Sequence, residues 1–147
     1  MKSNTQYMLF IVLALSLYGC GNTPATPLPT ESLTVQDQAS LLAAFQASNA
    51  TAEIVDSVIQ DFFSPEGSII TVNGADIQVF EYENKEAMEN EASQVAPDGG
   101  SIGTSMVAWM DAPHFYKAGR IIVLYIGSDK TTLDLLEKVI GSQFAGQ

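Results

Sequence analysis

Asn73-Gly74 separates two runs with strand-like alternation, Ser68-Ile69-Ile70-Thr71-Val72 and Ala75-Asp76-Ile77-Gln78-Val79-Phe80-Glu81-Tyr82. Both turn residues tolerate positive φ, and the two-residue turn they favour twists in the same sense as the strands it joins. No other stretch narrows the fold as far. A hairpin is marginal alone, so it demands further strands or a helix to cover its apolar face. Ile77 and Val79 alternate with Gln78, as in a strand with one wetter face.

The rest of the chain supplies that cover. Thr34-Val35-Gln36-Asp37 resembles a capping box and predicts a helix over about 35–48, with Leu41, Leu42 and Phe45 on one face and Asn49 as its C-cap. Ile54, Val55, Val58 and Ile59 favour a short strand within 51–59. Phe62 to Gly67 reads as a turn. Asn84 caps an expected helix at about 85–95, with Met88, Ala92 and Val95 inward. The glycine-rich stretch 96–103 reads as the longest flexible loop, and 104–110 as a third clear strand. Residues 115–127 read as a turn and then a buried strand, Arg120 to Ile126 being nearly unbroken apolar, as in a central strand. Ser128 or Asp129 caps a last helix with Leu133, Leu136, Val139 and Ile140 inward and Gly141 as its stop.

A shift of about 44 residues lays Ile77–Tyr82 on Ile121–Ile126, Asn84 on Ser128, and Ala92 and Val95 on Leu136 and Val139. The expected architecture is therefore α+β: an antiparallel sheet of four or five strands, covered on one face by helices, with two strand–strand–helix units after a leading helix.

The N-terminus has a different grammar. Lys2 precedes an apolar run from Tyr7 to Tyr18, shorter than the roughly 20 residues of a membrane-spanning helix. Gly19 and Cys20 follow, and Cys20 is the single cysteine. Leu17-Tyr18-Gly19-Cys20 resembles the lipobox of bacterial lipoproteins, with Tyr18 where the pattern usually has a small residue. The resemblance implies a signal peptide over 1–19, cleavage between Gly19 and Cys20, and a diacylglycerol on the Cys20 thiol, with further acylation of the new amino terminus. Such a protein sits in the cell envelope on the extracytoplasmic side. Gly21 is not the aspartate that holds many lipoproteins at the inner membrane, which implies the outer membrane where a host has one. Two or more acyl chains anchor stably, at about 0.8 kcal/mol per buried methylene. The proline- and threonine-rich residues 20–32 read as a tether, and 33–147 as one α+β domain. Pro113-His114-Phe115-Tyr116-Lys117, Gly119 to Gly127 and the closing Gly141-Ser142-Gln143-Phe144-Ala145-Gly146 are similar to segments of a group of uncharacterised small bacterial lipoproteins, from about Leu41 onward. That resemblance implies no activity.

Charge and cysteine count exclude several classes. The chain carries a formal charge of −11, and loss of Lys2 with the leader takes it to −12. That disfavours nucleic acid and anionic lipid surfaces as partners. With Cys20 committed to lipid, no disulfide, cysteine-rich metal site or Cys–His nucleophile is available. No Gly-x-Ser-x-Gly elbow, P-loop, Gly-x-Gly-x-x-Gly or calcium loop occurs. Neither catalysis nor a cofactor is expected. One segment gathers unusual side chains: Trp109, Asp111, His114, Tyr116, Lys117 and Arg120 lie within twelve residues that hold the single tryptophan, histidine and arginine. Aromatic and arginine side chains dominate binding hot spots when exposed. Three expectations follow for this segment. Trp109 and Phe115 are core, with His114, Lys117 and Arg120 as turn residues and local charge partners of Asp111; or the segment forms the surface by which a non-catalytic module meets an envelope protein; or Trp109, Tyr116 and Tyr125 line a small-ligand pocket between sheet and helices.

Overall fold

The computed structural model describes residues 34–147. Cys20, Gly19 and the expected leader and tether lie outside the described residues. The elements run α1 (Gln38–Ala47), β1 (Ala52–Val58), β2 (Gly67–Val72), β3 (Ala75–Glu81), α2 (Lys85–Ala92), β4 (Ser101–Ile102), β5 (Ser105–Met106), β6 (Pro113–Ala118), β7 (Ile121–Ile126), α3 (Lys130–Ile140) and β8 (Ala145–Gly146). Six strands form one antiparallel sheet in the order β1-β2-β3-β7-β6-β8, and β4 and β5 form a separate two-stranded ribbon. The α+β class is as expected, with more strands than four or five.

The Asn73-Gly74 turn closes β2 on β3 with Val72 opposite Ala75, and both turn residues have positive φ. A second hairpin joins β6 to β7 through Gly119-Arg120, with Ala118 opposite Ile121. Residues 113–118 are thus a full strand, where the sequence suggested only a turn.

Helices cover both faces of the sheet, not one. Ile121, Val123 and Tyr125 of β7 pack with Ile70, Val72, Ile77 and Val79 under α1 and α3, through Leu41, Phe45 and Leu136. Ile122 and Leu124 pack with Phe80, Phe115 and Phe63 under α2, through Met88 and Ala92. The reason is in β7 itself: a strand apolar at successive positions has two faces to bury. The 44-residue echo brings β3 and β7 together as antiparallel neighbours, Val79 opposite Val123. A two-fold axis through that pair would place both following helices on one face. Instead α2 and α3 lie on opposite faces, so the two units share a plan but not a symmetry.

Four local expectations change. The helix α1 starts at Gln38, because Asp37 rather than Thr34 is its N-cap: Asp37 Oδ1 accepts from Ser40 N at 2.9 Å, and Ser40 Oγ accepts from Asp37 N. The preceding residues are drawn to the sheet instead, Gln36 O accepting from Arg120 N at 2.9 Å. The helix α2 ends at Ala92, and Val95 bridges to Ile102. The stretch 96–106 is therefore a pinned ribbon rather than a long loop. Residues 104–110 form no third main strand, because the outer edge of β6 is taken by β8, with Phe115 opposite Ala145.

Candidate functional site

Strand alternation divides the segment 109–120 between the two layers. On β6, His114 and Tyr116 face the α1/α3 layer, whereas Phe115 and Lys117 face the α2 layer. Trp109 is half-buried there too. Its Nε1 donates to Gly99 O at 2.7 Å, and its ring meets Phe62 and Phe115 edge-on at 5.9 and 5.8 Å. Lys117 pairs with Glu89 of α2 and lies over the Phe144 ring. Arg120 pairs with Glu81 and donates to Tyr82 O at 3.1 Å. Glu81 in turn accepts from Gln38 N, so Arg120 and Glu81 tie the start of α1 to the sheet. Asp111 is exposed, and its Oδ1 accepts from Ala112 N at 2.7 Å. The six side chains do not form one surface.

What the fold does bring together is His114 and Tyr116 with residues the sequence reading did not join to them. A cleft of about 260 Å³ opens between β6 and α3, lined by His114, Tyr116, Leu133, Glu137, Ser142, Gln143 and Gln147. That is just below the roughly 300–1,000 Å³ of drug-sized pockets. Leu133 and Glu137 are one helical turn apart on α3 and so share a face. Ser142 and Gln143 follow the Gly141 stop, and β8 holds the last residues beside His114, which pairs with Gly146. Of the three residues expected to line a pocket, Tyr116 does so, Tyr125 stacks behind His114 with centroids 6.1 Å apart, and Trp109 is on the other layer.

His114 is 95% buried, at 5% exposure. Its Nδ1 lies 2.7 Å from Gln143 Oε1. The Gln143 amide is oriented by its own Nε2, which donates to Gln147 O at 3.5 Å. With the Gln143 oxygen toward the ring, this contact fits a proton on Nδ1. No protein atom partners His114 Nε2. A buried polar atom left so costs about 1–3 kcal/mol, and such atoms in native folds call for an explanation. Burial first, and then the Glu137 charge, push the Tyr116 phenol above its ordinary range.

Among the described residues no three His, Cys, Asp or Glu side chains cluster as metal ligands. Nor is any helix among them long and apolar enough to cross a membrane. No family model, curated protein or solved structure matches the chain.

Proposed function

We propose that this chain is a lipid-anchored extracytoplasmic binding module that captures a small polar solute in the cleft between β6 and α3, without transforming it. The anchor rests on Leu17-Tyr18-Gly19-Cys20 after a short apolar run. The capture rests on one observation above the others: β6 and α3 enclose a cleft of about 260 Å³ whose wall combines His114, Tyr116 and Glu137 with the apolar Leu133. An envelope protein docking on residues 109–120 is the second reading, and it would meet those side chains on two layers rather than on one surface.

A thermal-shift panel on the full chain in detergent tests the reading, with small cations, anions and neutral polar compounds all represented. A cleft ligand at a hundredfold excess over its Kd stabilises by about 2.7 kcal/mol, which raises the melting point by several degrees. Ser142→Trp, which fills the cleft from its exposed rim, abolishes that shift while leaving the unliganded melting point near that of the parent. Stabilisation that survives Ser142→Trp places binding elsewhere, and a panel without any stabilising compound overturns the reading.

A further inference from the structure

We propose that the outer edge of β1 docks an extended segment of a partner protein, one whose residues alternate basic and apolar, as a further strand of the sheet.

The edge is open. Among the described residues β1 pairs with β2 alone, and β2, β3 and β7 separate it from β6 and the cleft. Asn73 N donates to Thr51 O at 3.0 Å. In the alternating ladder Thr51 and Glu53 therefore turn their backbone groups to β2, and Ala52 and Ile54 turn theirs outward. The irregularity between Ile54 and Asp56 leaves Ala52–Ile54 as the straight part of the edge. A segment that pairs there gains main-chain hydrogen bonds, and its alternate side chains meet the two faces of the sheet.

The register fixes what those side chains meet. Ile54 lies opposite Ile70, which belongs to the layer under α1 and α3, yet Ile54 is 47% exposed. An added strand lays an apolar side chain beside it. On the other face Glu53, Thr71 and Asp76 form one row across β1, β2 and β3, and Asp56, Ile69 and Gln78 form the next. Glu53, Asp56 and Asp76 are exposed, because α2 packs further along this face, over Phe80, Phe115, Ile122 and Leu124. No lysine or arginine occurs between Thr34 and Asn84, and among the described residues no ion pair uses these three acids. Lysine or arginine alternating with an aliphatic residue matches both faces at once.

Other occupants fit less well. The acids that select a basic strand turn away a second copy of this chain, which carries the same charge of −11. Residues 20–33 of the chain itself hold Pro24, Pro27 and Pro29 and no basic residue, and proline cannot donate to a ladder.

The probe is a fluorescent peptide alternating lysine and valine, as long as the seven residues of β1. It is added to the full chain, 15N-labelled and in uncharged detergent, and followed by anisotropy and amide hydrogen exchange. It binds saturably and slows exchange at Ala52 and Ile54, with Glu53 little changed. A peptide with the same lysines and valines in two blocks, and one alternating glutamate and valine, bind about tenfold more weakly or worse. Glu53→Lys with Asp56→Lys, both at exposed positions, keeps the unliganded melting point and reverses the preference toward the glutamate–valine peptide.

Equal binding of the alternating and block peptides, without slowed exchange at Ala52 and Ile54, shows diffuse attraction to an acidic molecule and overturns strand addition. Equal binding of the glutamate–valine peptide by the parent, or undiminished lysine–valine binding by the double variant, overturns the charge match. Slowed exchange at Ala52 and Ile54 that grows with protein concentration in the absence of peptide gives the edge to a second copy and overturns the basic partner. Failure of the lysine–valine peptide to bind overturns the proposal outright.

Discussion

Gly74 and Gly119 both hold positive φ, at 92° and 53°, in different surroundings. A Cβ on Gly74 meets nothing within 4 Å, whereas one on Gly119 comes within 2.2 Å of Gln36 O and 2.3 Å of its Cα. Gly74→Ala should therefore show backbone strain alone, about 1–2 kcal/mol. Gly119→Ala adds a backbone collision and displaces the Arg120 N–H bond to Gln36 O, so its loss should be at least about twice as large. Urea unfolding of both variants checks this, and equal losses would show that the 34–36 segment does not press on the β6–β7 turn. Of these two residues, Gly74 was legible in the sequence because an Asn-Gly turn is a local device. Gly119 was not, because what crowds it comes from residues more than eighty positions away. His114 is similar. It stood out as the single histidine, but the residue its Nδ1 meets, Gln143, is reached only through the pairing of β8 with β6.

At the scale of elements, β1 is the exposed edge of the sheet, paired with β2 alone, with Ile54 and Val55 about half exposed. Glu53, Asp56 and an irregularity between Ile54 and Asp56 guard that edge, as charges and bulges do on natural sheet edges. Replacing both acids, Glu53→Val with Asp56→Val, should raise the oligomer fraction in light scattering at micromolar concentration. An unchanged mass would assign the protection to the bulge. The helix starts carry a pH dependence. Asp37 and Asp129 are held below the ordinary carboxylate value of 3.8 by the hydrogen bonds they accept from Ser40 and from Thr132. A lowered folded value means that the caps' contribution is complete above the unfolded value near pH 4 and is lost as the pH falls through the lower folded values. The acid unfolding midpoint should thus move to higher pH in Asp129→Ala, and an unmoved midpoint would show that this cap does not act on stability. The caps Asn84 and Asp129 and the Asn-Gly turn were readable because each acts within a few residues. The expected strand 104–110 failed for the opposite reason: whether a run of alternating residues joins a sheet depends on an edge being open, and β8 closes it.

For the whole molecule, the proposed anchor makes a prediction separable from the cleft. Labelled palmitate should enter the full chain in a lipoprotein-processing host, and Cys20→Ser should abolish the label and release the protein from the membrane fraction. Label retained on Cys20→Ser removes the anchor without touching the cleft. The acidic surface is consistent with the proposed tether, since it disfavours nucleic acid and negative lipid as contacts. The sequence by itself determined the α+β class, the first hairpin and the three helices, since each follows from periodicity, capping or composition within a short window. Only the tertiary structure decided that helices cover both faces of the sheet, that residues 109–120 are divided between two layers, and that His114 meets α3 and the β8 segment. Those outcomes depend on which strand pairs with which, and a one-residue change of register sends every side chain to the other face. That choice is made by burying the most apolar surface across the whole domain, which no local stretch of residues contains.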